Sequence, residues 1–420
     1  MNKTEAYYAS SRCLFCHAAP CVQACPALID IPLFIRQIKS GNMTGSARTI
    51  YDSNYFGRAC GEICPTEVLC EGACVYTHES IKPIEIGRLQ AYASNQAIQD
   101  NKALFQIGTE NGKKVAIIGA GPAGISCACE LRRMGFAVEI YEARKLPSGL
   151  TLHGVAPYKI TNEAVLEEMA YLERQFGFNI HYESPIRDMK EFQNLTGNHD
   201  AIFLGVGLGN TRLLHIQGEA LANCIGAVEF IEHLRFEMHK TSVGANVIVL
   251  GGGNTAMDAA SEACRMGAEQ VTLCYRRSML EMPAYSFEYT LAKSAGTTGM
   301  FNVVPIEILG KHKVEGVRFA RSETRAGQVT LLPNTEFTLA CDMVIKATGQ
   351  TKQAHFIQMI DGIELDQDKR IVVNEFGQTR NLKYFAGGDA VNGGREVVNA
   401  AAEGKAAALG IFNYLFPKVD

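Results

Sequence analysis

The chain has 420 residues, of which 47% are hydrophobic and 20% are charged. This length is too great for one hydrophobic core and predicts a globular protein of two or three domains. The formal net charge of −4 gives no reason to expect a surface for nucleic acid or anionic membranes. No apolar run approaches the ~20 residues that span a bilayer, and the first residues lack the apolar core of a signal peptide. We therefore expect a cytoplasmic protein.

The first 105 residues are predicted to be helical and rich in loops. Helix-type spacing of hydrophobic residues occurs over Ile31–Lys39 and over residues 44–51. The surrounding loops hold eight of the 14 cysteines, between Cys13 and Cys74. Such a group indicates either a disulfide framework in an oxidising compartment or metal ligation in a reducing one. Because no export signal is seen, metal ligation is favoured.

The pattern changes after a polar linker at residues 101–114. Residues 114–119 form a continuous apolar run, typical of a parallel strand buried on both faces. A second strand–turn–helix–strand unit begins at Asn246, which indicates an internal repeat of the same type. The other elements predicted between and after these are helices at 122–134, 163–176 and 396–415 and strands at 137–141, 201–206 and 271–274.

The first of two glycine-rich turns reads Gly119-Ala-Gly121-Pro-Ala-Gly124 and joins a predicted strand to a predicted helix. In this motif the glycines permit a tight turn, a close approach to a pyrophosphate and close packing of helix on strand. The helix N-terminus attracts the phosphates, and Glu142, at the end of the next strand, would accept from a ribose hydroxyl. We therefore predict a dinucleotide site here. Its remaining predicted contacts are Ala123, Gly149 and Leu150.

The second turn reads Gly251-Gly-Gly253-Asn254-Thr255-Ala256, with alanine in place of the third glycine. The strand that follows it leads into Arg276 and Arg277 rather than into an acid. An acid would bind the 2′-hydroxyl of NAD, whereas two guanidinium groups would pair with the 2′-phosphate of NADP. The alternative is that both arginines are solvated surface charges. The sequence favours NADPH over NADH as the nucleotide of this turn.

Two dinucleotide sites in one chain indicate a flavin together with a nicotinamide. Two further segments, Ala347-Thr348-Gly349 and Gly388-Asp389, follow predicted buried strands and resemble the closing motifs of flavoproteins with two dinucleotide domains. The resemblance implies that Asp389 lies near the ribityl chain of FAD. It assigns FAD to the first turn and NADPH to the second.

Many flavoproteins of this kind reduce disulfides, for which they need a close pair of redox-active cysteines. Beyond residue 105 the only close pair is Cys127 and Cys129, which lie two positions apart within one predicted helix and so point away from each other. We expect them to be packing residues, and a disulfide reductase is disfavoured.

The cysteines near the N-terminus have a regular spacing. They read Cys13-x2-Cys16-x4-Cys21-x3-Cys25-Pro and Cys60-x3-Cys64-Pro-x4-Cys70-x3-Cys74. Runs of this kind that end in Cys-Pro are typical of iron–sulfur proteins. Two tetrahedral zinc sites would fit the number of cysteines equally well. Iron–sulfur clusters are favoured because they carry single electrons, which suits a protein that also binds a flavin and a nicotinamide.

A family resemblance rests on the segments CLFCHAAPCVQACP, CGEICPTEVLCEGAC and PIEIGRLQ. Over essentially its whole length the chain resembles the dihydropyrimidine dehydrogenase family, and most of all the flavin-bearing subunit of the bacterial enzyme. The small subunit of NADPH glutamate synthase is a close relative. The resemblance implies two [4Fe-4S] clusters. Their ligands would be Cys13, Cys16, Cys21 and Cys74 for the first, and Cys25, Cys64, Cys70 and Gln90 for the second.

Gln90 is the most diagnostic of these positions, because an amide oxygen is an unusual ligand of iron. It favours the pyrimidine enzyme over glutamate synthase, and the alternative is that Gln90 is an ordinary polar helix residue. The same resemblance leaves Cys60 without a metal.

We therefore expect an α/β protein with an N-terminal helical iron–sulfur domain (residues 1–105) followed by two Rossmann-like domains. The NADPH domain (223–345) would be inserted in the FAD domain (106–222 and 346–420). Such a chain would oxidise NADPH and deliver electrons to a partner subunit that carries FMN and reduces pyrimidines. The alternatives are the small subunit of glutamate synthase and a redox sensor that does not turn over. No catalytic acid or base is predicted.

Overall fold

The computed structural model describes residues 1–417, and contacts within it divide the chain into two units. The first unit comprises Met1–Leu152, Lys159–Leu208 and the described residues from Lys352 onward. The second unit comprises His153–Tyr158 and Gly209–Thr351. It is thus inserted in the first unit, and it is wider than the predicted NADPH domain of residues 223–345. The four-part division stays a prediction.

The N-terminal part of the first unit is built from helices and cysteine-bearing loops. The amphipathic segment Ile31–Lys39 is a helix over the predicted range. Asp30 caps this helix by accepting from the backbone N–H of Leu33 at 3.1 Å. The helices are α1 (Lys3–Ser11), α2 (Pro20–Gln23), α3 (Ile31–Lys39), α4 (Met43–Ser53), α5 (Gly57–Ile63), α6 (Val75–His78) and α7 (Ile86–Gln99).

Alternating strands and helices follow. The first strand is buried along most of its length, as its apolar run predicts. The helix after it begins at Pro122, a residue suited to the first helical turn because its missing N–H has no partner there. The elements are β1 (Lys114–Ile118), α8 (Pro122–Arg133), β2 (Ala137–Tyr141), α9 (Leu150–His153), α10 (Asn162–Phe176), β3 (Asn179–His181), α11 (Met189–Asn198) and β4 (Ala201–Leu204).

The chain then enters the second unit, which combines a parallel sheet with antiparallel strands. Its elements are β5 (Leu208–Thr211), β6 (Cys224–Gly226), α12 (Ala227–Glu237), β7 (Asn246–Leu250), α13 (Asn254–Arg265), β8 (Gln270–Tyr275), α14 (Ser286–Ala295), β9 (Thr297–Phe301), β10 (Val303–Leu309), β11 (Gly316–Arg325), β12 (Gln328–Leu331), β13 (Phe337–Ala340), β14 (Met343–Lys346) and β15 (Gln350–Lys352). The parallel sheet has the order β6-β14-β7-β8-β9. Strand β11 pairs antiparallel with β10, β12 and β13.

The last described elements return to the first unit. They are α15 (Ala354–Ile357), β16 (Tyr384–Ala386), α16 (Asp389–Asn392) and α17 (Val397–Leu415). Strand β16 completes a parallel sheet in the order β16-β4-β1-β2-β3. Helix α17 packs along α8 so closely that a Cβ on Gly404 would lie 2.0 Å from the carbonyl oxygen of Ala123.

Both parallel sheets have a helix after a glycine turn at the carboxyl end of a central strand, which is the predicted arrangement. Ligands bind at this edge in sheets of this type. Within residues 1–417, no helix combines the length and the apolar character needed to cross a membrane.

Candidate functional site

The first glycine turn connects β1 to α8. Gly119 has a φ of +101°, which disfavours a side chain, and its N–H donates to the carbonyl of Tyr141 at 2.8 Å. A Cβ on Gly124 would lie 2.0 Å from the carbonyl oxygen of Gly119, so this glycine permits the helix to start against the strand. Gly121 lies at the N-cap of α8, and a Cβ there would have the Cα of Gly149 as its nearest neighbour, at 4.0 Å. Space and free N–H groups at a helix N-terminus suit a pyrophosphate.

The loop before α9 lies against this turn. Ser148 donates its N–H to the carbonyl of Ala120 at 2.7 Å, and Gly149 approaches Gly121 so closely that a Cβ would meet its Cα at 3.1 Å. Leu150 begins α9. Among the described residues, the buried hydroxyls of Ser148 and Thr151 have no hydrogen-bond partner. A bound polar ligand would satisfy them, so this cradle fits a dinucleotide.

Glu142 lies at the end of β2 and is buried. Its Oε2 accepts from the N–H of Ala120 at 2.7 Å, and its Oε1 accepts from the N–H of Arg144 at 2.8 Å. These bonds fix the carboxylate beside the glycine turn, and each oxygen keeps a second lone pair for a hydroxyl. The arrangement is compatible with the predicted contact to a ribose.

The closing motif Gly388-Asp389 is next to the first turn. Gly388, with a φ of +72°, donates its N–H to Glu403 at 2.7 Å, and a Cβ at this position would come within 3.0 Å of the Cβ of Ala123. Asp389 begins α16, and burial raises the pKa of its carboxyl. The structure thus brings together two segments that are far apart in the sequence.

The second glycine turn connects β7 to α13. A Cβ on Gly251 would lie 2.4 Å from the carbonyl oxygen of Ala347. Gly253 is the N-cap of α13, and nothing lies within 4 Å of the place where its Cβ would be. Asn254, in the first turn of α13, accepts from the N–H of Tyr285 at 3.0 Å, whereas Ala256 is fully buried. Thr255 lies between them and is exposed.

The segment Ala347-Thr348-Gly349 lies in the second unit, beside this turn. Ala347 donates its N–H to the carbonyl of Leu250 at 2.8 Å, and the hydroxyl of Thr348 donates to the carbonyl of Arg212 at 2.8 Å. The sequence predicts this segment in the FAD domain, at residues 346–420. The segment belongs to the second unit instead, because β14, which precedes it, pairs with β6 and β7 of that unit.

The two arginines after β8 differ in their surroundings. Arg276 is exposed, whereas Arg277 is half-buried. One Nη of Arg277 donates to the carbonyl of Gly327, in the turn between β11 and β12, at 3.2 Å. Arg276 is thus the guanidinium available to a ligand, and Arg277 also has a structural role.

The first group of cysteines surrounds one cavity. Cys13, Cys16, Cys21 and Cys74 all line a partly open space of about 380 Å³. Burial raises the pKa of the Cys21 thiol to about 12, so a metal that binds here must displace the proton. Leu14, in the same loop, is 60% exposed, which puts this cavity close to the surface.

The second group surrounds another cavity, of about 360 Å³. Its walls include the thiols of Cys25, Cys60, Cys64 and Cys70, the side chains of Asn54 and Gln90, and Val398 from the first turn of α17. Gln90 is 7% exposed, and its Nε2 donates to the carbonyl of Gly57 at 2.8 Å. This bond orients the amide and leaves Oε1 as its potential metal ligand.

Both cavities are lined by Ile31, so they are neighbours. Within residues 1–417, no three His, Cys, Asp or Glu side chains are close enough to hold a single metal ion. The cysteines instead line two partly open spaces, and a set of four cysteines around one space is the donor set that a [4Fe-4S] cluster requires.

Sequence reasoning missed Glu168, a buried carboxylate on α10. Its oxygens accept from the hydroxyl of Tyr51 at 2.9 Å and from the N–H groups of Arg58 and Ala59 at 2.6 and 2.9 Å. Glu168 therefore caps α5, the helix that leads to Cys64. Burial raises its pKa to about 7. Its position on the apolar face of an amphipathic helix was the available signal.

The predicted packing role of Cys127 and Cys129 agrees with their surroundings. Both lie within α8 and are fully buried. Burial raises the pKa of both thiols, which makes them poor nucleophiles.

Two glycine turns on two parallel sheets, in a chain that also has two thiol-lined cavities, define a flavin- and nicotinamide-dependent oxidoreductase with an iron–sulfur domain. Residues 113–404 match the family described as pyridine nucleotide-disulphide oxidoreductase. Residues 1–102 match the family described as dihydropyrimidine dehydrogenase domain II, 4Fe-4S cluster. The chain belongs to the pyridine nucleotide-disulphide oxidoreductase family and has this 4Fe-4S domain before it. The predicted family and fold class are confirmed.

Curated relatives share this arrangement. The NAD-dependent dihydropyrimidine dehydrogenase subunit PreT of Escherichia coli K12 is 33% identical over 406 residues, which cover 97% of this chain and 93% of PreT. The glutamate synthase [NADPH] small chain of the same organism is 32% identical over 439 residues, which cover 99% of this chain and 92% of that one. The chain is accordingly an NAD(P)H-dependent flavin and iron–sulfur oxidoreductase subunit.

Solved structures support the same fold for most of the chain. Mycobacterium tuberculosis FprA in complex with NADPH has a TM-score of 0.60 at 20% identity, covering 72% of this chain and 84% of FprA. Lactococcus lactis thioredoxin reductase has a TM-score of 0.56 at 22% identity, covering 72% of this chain and 99% of that one.

The open space at Gly253 generates a test of the second turn. Because a Cβ there would contact no protein atom, Gly253→Ala should change the free energy of unfolding by no more than about 0.5 kcal/mol. The methyl group would occupy space that a pyrophosphate needs, so we expect the Kd for NADPH to rise about tenfold or more, which corresponds to ~1.4 kcal/mol. FAD content should not change. Gly197→Ala, also in open space, is the control, and equal NADPH affinity in both variants would contradict the prediction.

Proposed function

We propose that this chain is an NADPH-oxidising electron-transfer subunit that carries FAD and two [4Fe-4S] clusters and serves a partner that reduces pyrimidines. The observation that carries the proposal is the position of Val398. This residue lines the second cysteine cavity, and it belongs to the helix that follows the closing motif Gly388-Asp389. A short path therefore leads from the proposed flavin site to the proposed cluster site.

When bound, FAD would accept a hydride from NADPH and release the two electrons one at a time, and the clusters would carry those electrons onward. The residues of this chain bind and orient these groups. The first turn and Gly388-Asp389 would hold FAD, and the second turn would hold NADPH. Cys25, Cys64, Cys70 and Gln90 would hold one cluster. Cys13, Cys16, Cys21 and Cys74 would hold the other.

The order of the two clusters follows from what lines each cavity. Val398 lines the cavity of Gln90 and does not line that of Cys13, whereas Ile31 lines both. The cavity of Cys13 has the exposed Leu14 in its wall. Electrons would then leave from the cluster at Cys13, where a partner subunit can approach.

Pyrimidine reduction is supported by Gln90 and by the similarity to PreT, a dihydropyrimidine dehydrogenase subunit. The partner in this proposal carries FMN and the pyrimidine site. The nucleotide proposed here, NADPH, differs from that of PreT, which is named as NAD-dependent. It is supported by the exposed guanidinium of Arg276 after β8.

The small subunit of glutamate synthase is the second candidate, and one observation favours it. The glutamate synthase relative is named for NADPH, in agreement with the arginines after β8. In that case the electron path within this chain would be the same, and the partner would use glutamine and 2-oxoglutarate.

The reaction that the partner subunit catalyses distinguishes the two candidate functions. We expect the native complex, purified through a tag on this chain, to oxidise NADPH when uracil or thymine is added. Turnover only with glutamine and 2-oxoglutarate would establish the second candidate. If the complex oxidises NADPH with ferricyanide but neither with a pyrimidine nor with glutamine and 2-oxoglutarate, the chain serves a different partner. That result would refute both candidate functions.

The nucleotide preference can be tested at Arg276. A charge-assisted hydrogen bond contributes ~1.5–3 kcal/mol, so Arg276→Ala should raise the Kd for NADPH by about 10- to 100-fold and leave that for NADH nearly unchanged. Arg325→Ala removes another exposed arginine, on β11, that pairs with Glu323, and it should change neither value. Equal losses for NADH and NADPH in the Arg276 variant would show that this residue does not read the 2′-phosphate.

The ligand set can be tested at Gln90. The protein should contain about eight irons per chain, and Gln90→Leu should lower this number to about four, since it removes one ligand of one [4Fe-4S] cluster. FAD should remain bound. Gln96→Leu changes a residue on the same helix that bonds to Asp100, and it should keep all the iron. Unchanged iron content and cluster spectra in the Gln90 variant would exclude it as a ligand, and stoichiometric zinc would refute both clusters.

A further inference from the structure

Asn54 is a buried amide in the wall of the second cavity. It follows the last residue of α4, is 1% exposed, and lines the same space as Cys64 and Gln90. Its Oδ1 accepts from the backbone N–H of Phe56 at 3.0 Å. Among the described residues, its Nδ2 has no hydrogen-bond partner.

The orientation of this amide is fixed by its neighbour. A backbone N–H can only donate, so the atom of Asn54 that meets Phe56 must be the oxygen. The NH2 group is therefore at the other end, and its two donors are removed from water. Buried donors without an acceptor are rare in proteins and call for a partner.

The other polar groups of this cavity identify the kind of partner. The amide nitrogen of Gln90 is already bonded to Gly57. The other polar residues that line this cavity are Thr66 and four cysteines, Cys25, Cys60, Cys64 and Cys70, so sulfur predominates. A thiolate or sulfide is an acceptor without a proton of its own. Asn54 thus offers a neutral donor to a site built for sulfur.

We propose that Asn54 donates a hydrogen bond from Nδ2 to a sulfur of the second cluster, and that this bond makes the cluster easier to reduce. The inference rests on the proposed function, in which this cavity holds a cluster. A hydrogen bond to sulfur withdraws negative charge from the metal and stabilises the form that carries one more electron. Asn54 is a positioning and tuning residue, and it is not a ligand.

The test compares isosteric variants of the holoprotein. Asn54→Asp keeps an oxygen for the N–H of Phe56 and replaces the donor by an acceptor. We expect a lower midpoint potential for the second cluster in a redox titration monitored by electron paramagnetic resonance. The first cluster should keep its potential and serves as the internal reference. In deuterated water, the coupling of an exchangeable deuteron to the second cluster should also be lost.

Asn42→Asp is the matched control, because it makes the same change at the exposed opposite end of α4. Asn42 caps this helix through the N–H of Gly45 at 2.9 Å, and aspartate caps equally well. Both potentials should match those of the unchanged protein. If Asn54→Asp prevents the second cluster from assembling, Asn54→Leu, which removes the donors without adding charge, should show the lower potential instead.

Two outcomes would overturn the inference, and they are distinguishable. An unchanged potential and an unchanged deuteron coupling in the variant that retains both clusters would exclude the hydrogen bond alone. An unmodified protein that holds only one cluster, with no metal at Cys25, Cys64 and Cys70, would refute the proposed function and the inference with it.

Discussion

The close packing of α17 on α8 is the contact on which the first unit depends. Gly404 faces the carbonyl oxygen of Ala123 at a distance that leaves no room for a side chain. This approach puts the N-terminal end of α17 near the first glycine turn, and the same helix supplies Val398 to the second cysteine cavity. Helix α17 therefore contacts both the first glycine turn and the second cysteine cavity. The distance between this turn and this cavity is thus set by one helix.

Polar contacts attach the helical part of the first unit to its α/β part. Tyr51 bonds to Glu168 at 2.9 Å, and Tyr55 bonds to Glu130 at 2.5 Å. Arg58 pairs with Glu167 at 2.6 Å. The two tyrosine pairs are buried or partly buried, so desolvation opposes their attraction and their net contribution to stability is small. Their directional geometry favours one arrangement of the two parts, which would suit the proposed electron transfer between them.

The sequence was informative where the chemistry is local. The glycine turns and the cysteine runs were visible because each motif is contiguous and each residue type has a steric or ligating reason. The two ligand groups could be separated only through the family resemblance, since spacing alone does not say which thiols share a cavity. The structure collects Cys13, Cys16, Cys21 and Cys74 around one space. Their roles as ligands stay predictions.

The features that the sequence did not predict depend on contacts between distant segments, which hydrophobic periodicity does not reveal. The segment at Ala347 lies in the second unit because of the strand order around β14. Arg277 is engaged by the turn at Gly327, which lies fifty residues further on. Val398 and Glu168 are ordinary helix residues in the sequence. They gain their importance only when α17 and α10 are packed against the cysteine loops.

The interleaved linings of the two cavities have a consequence for how the protein matures. Each cavity takes thiols from both halves of the cysteine motif: Cys74 joins Cys13 in one, and Cys64 joins Cys25 in the other. Neither half can complete a site alone, and closing each site costs the chain the entropy of a long loop. Metal incorporation would return that cost as folding free energy. Synthesis must therefore pass Cys74 before the first site can close, and it must pass Gln90 before the second site has its full proposed ligand set.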